Sequence, residues 1–202
     1  MGLGTGSTAK LFVEELGARV RAGLKLVGVP TSEGTRALAS SVGITLLDDE
    51  GPWAIDVNVD GADEVSAALD LIKGGGAAHT REKIINFASR RNVIIVDDTK
   101  LSTRLGERWS VPIEVLTFAR GTTRAALARY GNPVLRQRDG GPVRTDAGNL
   151  IYDLAAGAIE APGALDRALH DIPGVVETGL FVGRADVVLV AGDSGVRRLV
   201  RG

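Results

Sequence analysis

The richest stretch for chemistry is Lys73–Lys83, Lys-Gly-Gly-Gly-Ala-Ala-His-Thr-Arg-Glu-Lys. A cation and three glycines, which reach backbone conformations closed to other residues, run into Ile84, Ile85 and Ala88 at helical spacing. Glu82 then falls in the first turn of a helix, behind a glycine loop rich in bare N–H groups. A carboxylate, a lysine and amide donors this close in the chain suit proton transfer next to a developing negative charge. Taken alone, the same Glu82 also reads as a first-turn acid that favours the positive end of the helix dipole.

Three further stretches carry the same types of group. Gly4-Thr5-Gly6-Ser7-Thr8-Ala9 precedes Leu11, Phe12, Leu16 and Val20 at helical spacing, so Ser7 or Thr8 is expected to cap a helix running to about Gly23. Glycines and hydroxyls at a helix start make an anion cradle. The spacing matches neither GxGxxG nor the P-loop, and phosphate binding and an ordinary tight turn both fit it. Asp60-Gly61-Ala62-Asp63-Glu64 follows an apolar run, and its two aspartates suit a metal ion, sugar hydroxyls or a turn cap. Asp97-Asp98-Thr99-Lys100 follows Val93–Val96 in the same way. Arg dominates the basic residues; the lysines are Lys10, Lys25, Lys73, Lys83 and Lys100. A lysine retained against that bias marks a place for a compact, titratable ammonium, with Lys10 and Lys25 expected on outer surfaces.

Composition narrows the function classes. Net charge is −1, with no block of like charge, so neither a nucleic-acid nor a membrane footprint is indicated. No apolar run approaches the ~20 residues of a membrane span, and no signal segment opens the chain. With no cysteine in the sequence, disulfides, thiolate metal ligands and thiol catalysis are excluded, which fits a reducing, cytoplasmic setting. His79 and His170 are two histidines far apart in sequence, so no His-based metal site is expected.

The elements that must position these groups alternate. Strands are expected at Leu24–Val29, Ile44–Leu47, Ala54–Val59, Leu69–Ile72 and Val93–Val96, with helices after Ser7, over Glu33–Ser41 and from Glu82 to about Arg91. Four polar clusters (Thr5–Thr8, Asp60–Asp63, Lys73–Glu82, Asp98–Lys100) at strand carboxyl ends predict a Rossmann-like, doubly wound parallel sheet with one shared crevice. After Arg108 the pattern becomes strand Val111–Leu116, helix Phe118–Tyr130, strands Pro133–Arg138 and Leu150–Ala155, helix Gly163–Asp171 and strand Val175–Leu180. That β-α-β-β-α-β order is a split βαβ module of ferredoxin-like type. Ala185–Val190 reads as a strand returning to the first sheet. The expected domains are therefore 1–108 completed by 183–202, and a ferredoxin-like α+β lid over 109–182.

Together, the Gly4–Ala9, Asp60–Glu64, Lys73–Gly76, Arg81–Lys83 and Val96–Lys100 segments resemble the signature blocks of the ribose-5-phosphate isomerase A family. Thr145-Asp146-Ala147-Gly148-Asn149 and Glu177–Val182 are similar to its later segments, so the resemblance covers essentially the whole chain in order. It implies a cofactor-free aldose–ketose isomerase of the pentose phosphate pathway, interconverting ribose 5-phosphate and ribulose 5-phosphate as a homodimer or homotetramer. Carried over residue by residue, Glu82 matches the catalytic base. Thr5, Gly6, Ser7, Thr8, Asp60, Gly61, Ala62, Asp63, Lys73, Gly74, Gly75, Gly76 and Lys100 match substrate-binding positions, and no metal ligand is implied. A non-catalytic sugar-phosphate sensor would be expected to lose the Asp60–Lys73–Glu82 set, and a CoA-transferase-like enzyme leaves Asp60-Gly-Ala-Asp63 unexplained.

Two departures stand out. His79 lies where the family is apolar, and is read as a tolerated loop residue. Family members also carry a helix and strand before the glycine loop, where this chain has Met1-Gly2-Leu3. The expectation is that the natural frame extends upstream, since a strand feeding such a loop is normally internal to its sheet.

Overall fold

The computed structural model describes residues 1–201, and the chain forms two compact units. The first is built from Met1–Gly61, Arg81–Asp98 and the chain from Arg184 onward, the second from Ala62–Thr80 and Thr99–Gly183. This division differs from a boundary at residue 108, because 62–80 and 99–108 group with the later part of the chain.

The first unit is a seven-stranded sheet ordered Gly195–Val200, Val187–Gly192, Asn92–Asp97, Asn58–Asp60, Gly2–Leu3, Val27–Pro30, Thr45–Leu46. Every neighbouring pair is parallel except the hairpin formed by its last two strands in sequence. Numbered in chain order, the parallel strands lie 3-2-1-4-5-6, the doubly wound arrangement, whose order reverses between the first and fourth strands. Ligands of such sheets bind beyond the carboxyl ends at that reversal. Here the reversal lies between Leu3 and Asp60, where two of the predicted clusters begin.

The first strand in the sequence is Gly2–Leu3. Gly2 pairs with Val29 on one side and Asn58 on the other, and Leu3 with Pro30 and Val59. The Met1 carbonyl accepts from Val29 N at 2.9 Å, and the terminal amine donates to the Val27 carbonyl at 2.8 Å. Gly2 cannot be larger, since a Cβ would lie 2.5 Å from Asn58 Oδ1 and 2.7 Å from Ile85 Cγ2. The pairing expected of an internal strand is thus present in Gly2–Leu3, although the sequence pattern had no strand there.

Helix α1 (Ser7–Arg21) buries Val13 and Leu16 on Leu3, Ala39 and Ile44. Helix α2 (Glu33–Ser41) starts at Ser32, whose Oγ accepts from Thr35 N at 3.1 Å, the usual way to satisfy an orphan amide at a helix start. Helix α3 (His79–Ala88) is fixed by Ile85, which packs with Val29 and Ile55. The expected strand Ala54–Val59 is shorter, Asn58–Asp60, with Ile55 making a single bridge to Ser89. The edge strand Gly195–Val200 was not anticipated: it is exposed almost throughout, so its sequence carries no buried face to read.

In the second unit, Val175–Thr178, Val111–Val115, Leu150–Ala155 and Asn132–Leu135 form, in that order, an antiparallel sheet. Helices α4 (Arg120–Leu127) and α5 (Pro162–His170) complete the expected β-α-β-β-α-β order. Leu127 and Leu169 pack into one core with Ile113, Val115, Leu150 and Leu154. A small sheet joins Leu71–Ile72 antiparallel to Glu64–Val65 and to Leu180–Phe181. This corrects the assignment of the strand before Lys73 to the parallel sheet. Its short apolar run fits either sheet, and periodicity alone does not separate the two.

Candidate active site

In the first unit the Gly4–Thr8 loop and Asp60 are bound together. Asp60, fully buried, accepts at Oδ1 from Thr5 N (3.1 Å) and Gly61 N (2.8 Å). Gly4 passes so close that a Cβ there would lie 2.6 Å from Asp60 Cα. On the other side, Thr5 Oγ1 meets Thr31 Oγ1 at 2.7 Å, Ser32 Oγ at 2.8 Å and Thr35 Oγ1 at 3.1 Å. Thr31 Oγ1 donates to the Leu3 carbonyl at 3.0 Å and Thr35 Oγ1 to that of Gly4 at 2.9 Å. Thr31, Ser32 and Thr35 were missed as site residues, because Pro30-Thr31-Ser32 reads locally as a strand end.

Gly6, with φ +112°, is the N-cap of α1, and no side chain caps it. This corrects the expected Ser7 or Thr8 cap. Ser7 and Thr8 are instead the first helical residues, Ser7 exposed and Thr8 half-buried, so the first-turn amides keep no side-chain acceptor and suit an anion. A cavity of about 310 Å³ opens there, lined by Thr5, Gly6, Lys10, Ser32, Gly34 and Thr35 among others.

Glu82 is 2% exposed in the first turn of α3. It precedes Ile85 by three residues, so it shares the face that packs on the sheet. Arg81 Nη1 reaches Glu33 Oε1 at 2.7 Å, tying the start of α3 to the start of α2. Lys83 is buried too, whereas Lys10 and Lys25 are exposed, Lys10 at the lining of the cavity by the start of α1.

The second unit holds Ala62, Asp63, Lys73–Gly76 and Lys100. Asp63 Oδ2 accepts from Gly75 N at 2.7 Å, and a Cβ on Gly75 would lie 2.6 Å from Asp63 Oδ1. Arg136 spans the loop from outside. Its Nη1 donates to the Gly74 carbonyl (2.6 Å) and the Gly75 carbonyl (3.3 Å), while Nε and Nη2 grip Asp153. Lys73 is 3% exposed, with Nζ 5.6 Å from the Phe181 ring centroid, and Lys100 Nζ stands equally far, 5.6 Å, from Trp109. Gly76 is exposed and Ala62 half-buried.

His79 is not a loop residue. It is fully buried and opens α3, with Nε2 3.4 Å from the Glu177 carbonyl. Gly74, at φ +110°, must be glycine, because a Cβ would meet His79 Nδ1 at 2.7 Å. Two buried carboxylates are structural. Glu114 accepts from Thr80, Thr145 (2.8 Å) and Asn149 (2.9 Å), which accounts for the Thr145–Asn149 segment. Glu64 accepts from Ser102 Oγ (2.6 Å), Gly106 N (2.8 Å) and Arg108 N (3.0 Å).

Asp166, His170 and Glu177 bring ligand-type atoms within 4.8 Å of one another, which sequence distance did not suggest. His170 Nε2 lies 2.7 Å from Glu177 Oε1 and Nδ1 2.8 Å from the Asp166 carbonyl. Acceptors face both ring nitrogens and favour the protonated ring, and the Glu177 hydrogen bond is the main cause raising the His170 pKa above its ordinary value. Among the described residues no helix is long and apolar enough to cross a membrane.

Residues 27–195 match the family model for ribose 5-phosphate isomerase A (phosphoriboisomerase A). The chain is 48% identical to ribose-5-phosphate isomerase A of Thermomicrobium roseum, covering 100% of this chain and 86% of that one. Its structure is similar to ribose 5-phosphate isomerase A from Methanocaldococcus jannaschii, with a TM-score of 0.93, 42% identity, and coverage of 98% and 89%. A D-ribose-5-phosphate isomerase in complex with phospho-erythronic acid gives a TM-score of 0.96, 41% identity, and coverage of 99% and 90%.

Proposed function

This chain belongs to the ribose 5-phosphate isomerase A family and is an isomerase; from that premise we propose that it interconverts D-ribose 5-phosphate and D-ribulose 5-phosphate through an enediol, with Glu82 as the single base. The observation that carries the assignment is Glu82 itself, a carboxylate 2% exposed on the packed face of α3, in the segment that matches the family's catalytic position.

The reaction moves one carbon-bound proton. Glu82 takes the proton from C2 of the open-chain aldose and returns it to C1, while the C1 carbonyl oxygen gains a proton in exchange for the one the C2 hydroxyl gives up as it becomes the carbonyl. One carboxylate acts in turn as base and acid, so the step itself calls for no cofactor. Negative charge grows on the C1 and C2 oxygens, and Lys73, Lys100 and the Gly74–Gly76 amides are the donors assigned to it. Asp60 and Asp63 are assigned to the sugar hydroxyls. Asp60 already fixes Thr5 and Gly61 through backbone N–H groups. The uncapped start of α1, with Thr5, Ser7 and Thr8, is assigned to the phosphate. A relative's complex with phospho-erythronic acid supports a phosphorylated sugar acid as a ligand of this class of site.

The strand order of the second unit, 4-1-3-2 in chain order, supports reading its larger sheet as the family's ferredoxin-like module. We assign the reaction to the non-oxidative pentose phosphate branch, the enzyme to the cytoplasm and its working form to a homodimer or homotetramer. The test is turnover of purified protein on ribose 5-phosphate with a chelator present. The account predicts conversion to the ketose unaffected by chelation. A folded protein that leaves ribose 5-phosphate unchanged would contradict it.

A further inference from the structure

The second unit contains a cavity of about 810 Å³ between α4, the edge strand Asn132–Leu135 and the strand Leu150–Ala155. It is within the size range of small-molecule sites, roughly 300–1,000 Å³. None of the residues assigned to the isomerase reaction lines it. Arg120 and Arg124 do, one turn apart on α4 and therefore on one face. Arg136 and Asp153 also line it, with Gln137 and Tyr152.

The charges in this cavity do not balance. Asp153 is its only carboxylate and is gripped by the Arg136 fork. The side chains of Arg120 and Arg124 make no ion pair or hydrogen bond among the described residues. Both side chains are exposed, and like charges one turn apart oppose the helix rather than support it. Guanidinium groups are planar forks matched to phosphate and carboxylate oxygens. The neighbouring Pro133, Val134 and Leu135 give the cavity an aliphatic side, suited to the uncharged body of a ligand.

We propose that this cavity binds a small, multiply charged phosphate-bearing anion through Arg120 and Arg124, at a site separate from the one that takes the sugar phosphate substrate. Arg136 forms its inner wall while its Nη1 holds the Gly74 carbonyl at 2.6 Å. An occupant therefore sits one side chain from the Lys73 glycine loop.

The experiment is isothermal titration of the whole protein with inorganic pyrophosphate at ~150 mM salt, where surface attraction is screened. It is run with and without excess ribose 5-phosphate to fill the substrate site. The expected result is a saturable binding event that persists under ribose 5-phosphate. It should weaken at least tenfold in R120A/R124A, with that variant's melting temperature and ribose 5-phosphate turnover unchanged. Binding that disappears under ribose 5-phosphate overturns the proposal, because pyrophosphate then occupies the substrate site alone. Equal binding by R120A/R124A and the parent overturns it too. So does a change in sedimentation of R120A/R124A, which would mean that a second copy of the chain covers the cavity. Loss of isomerase turnover in the parent with pyrophosphate binding intact would contradict the proposed function and leave this site standing.

Discussion

The two glycine loops are held in opposite ways. Gly4–Thr8 rests on neutral hydroxyls and one buried carboxylate at the reversal of a parallel sheet, with the Gly4 backbone pressed on that of Asp60. Gly74–Gly76 is held by side-chain tips: Asp63, and the Arg136–Asp153 pair, whose arginine lies some sixty residues further along the chain. The first loop is therefore set mainly by backbone packed on backbone, and the second mainly by side chains, with His79 against Gly74 and Asp63 and Arg136 on its amide and carbonyl groups. Damage to the first should appear as lost stability, and damage to the second as lost substrate handling.

The widest separation is expected between two alanine substitutions. In Gly4→Ala the new methyl meets Asp60 Cα, which cannot move without breaking the strand. The cost should reach the upper part of the usual overpacking range, about 1–3 kcal/mol, or roughly 2–4 °C per kcal/mol in melting temperature. In Gly75→Ala the methyl meets the Asp63 carboxylate, which can rotate away. The stability loss should be about 1 kcal/mol or less, with KM raised. Equal melting losses would erase the distinction between the loops.

Arg136→Ala comes next. It frees the Gly74 carbonyl and strands Asp153, whose side chain is 30% exposed, so the stability cost should be about 1–2 kcal/mol, below that of a buried pair. KM should rise several-fold. Arg136→Lys should recover little, because a point charge cannot grip a carboxylate and a carbonyl together. Recovery of KM by lysine would mean that charge alone holds the loop.

On the other loop, Thr35→Val removes the hydroxyl bond to the Gly4 carbonyl. It should cost about 1 kcal/mol with turnover nearly unchanged, as read from melting and initial rates.

The smallest effect is at His170. Its pKa is raised in the folded protein, so its contribution is full below the unfolded value near 6.5 and fades as pH rises through the raised value. The group is partly exposed, which limits the gain to about 0.2–1 kcal/mol. His170→Gln should therefore melt lower than the parent near pH 6 and match it in alkaline buffer. A gap that widens with pH would reverse the sign and refute the imidazolium pairing.

What the sequence made legible follows the same division. The glycine blocks, Asp60, Asp63, Lys73, Glu82 and Lys100 stand out as candidates by type and spacing, their roles coming only with the family resemblance, and the alternation of elements predicted the parallel sheet. The two-residue strand Gly2–Leu3 did not show, because its pairing depends on both neighbours rather than on a run of its own. Thr31, Ser32 and Thr35 were hidden in a strand end and a helix start, since their hydroxyls matter only once Thr5 is placed beside them. Arg136 and Asp153 were invisible as a clamp, because no local pattern links residues 74 and 136. His79 was misread as a loop residue because no local pattern shows that the helix already begins there or that Gly74 and the Glu177 carbonyl close over its ring.

The central claim is that Glu82 is the base, and the most direct measurement is the steady-state rate of Glu82→Gln on ribose 5-phosphate beside the parent. Glutamine keeps the size and most hydrogen bonds but cannot take the proton. The account predicts a kcat lowered by roughly 10²–10⁴ with KM changed only modestly, and exchange of the substrate C2 hydrogen with deuterated solvent slowed in step. Near-parental kcat and exchange in Glu82→Gln, with the variant folded, would contradict it.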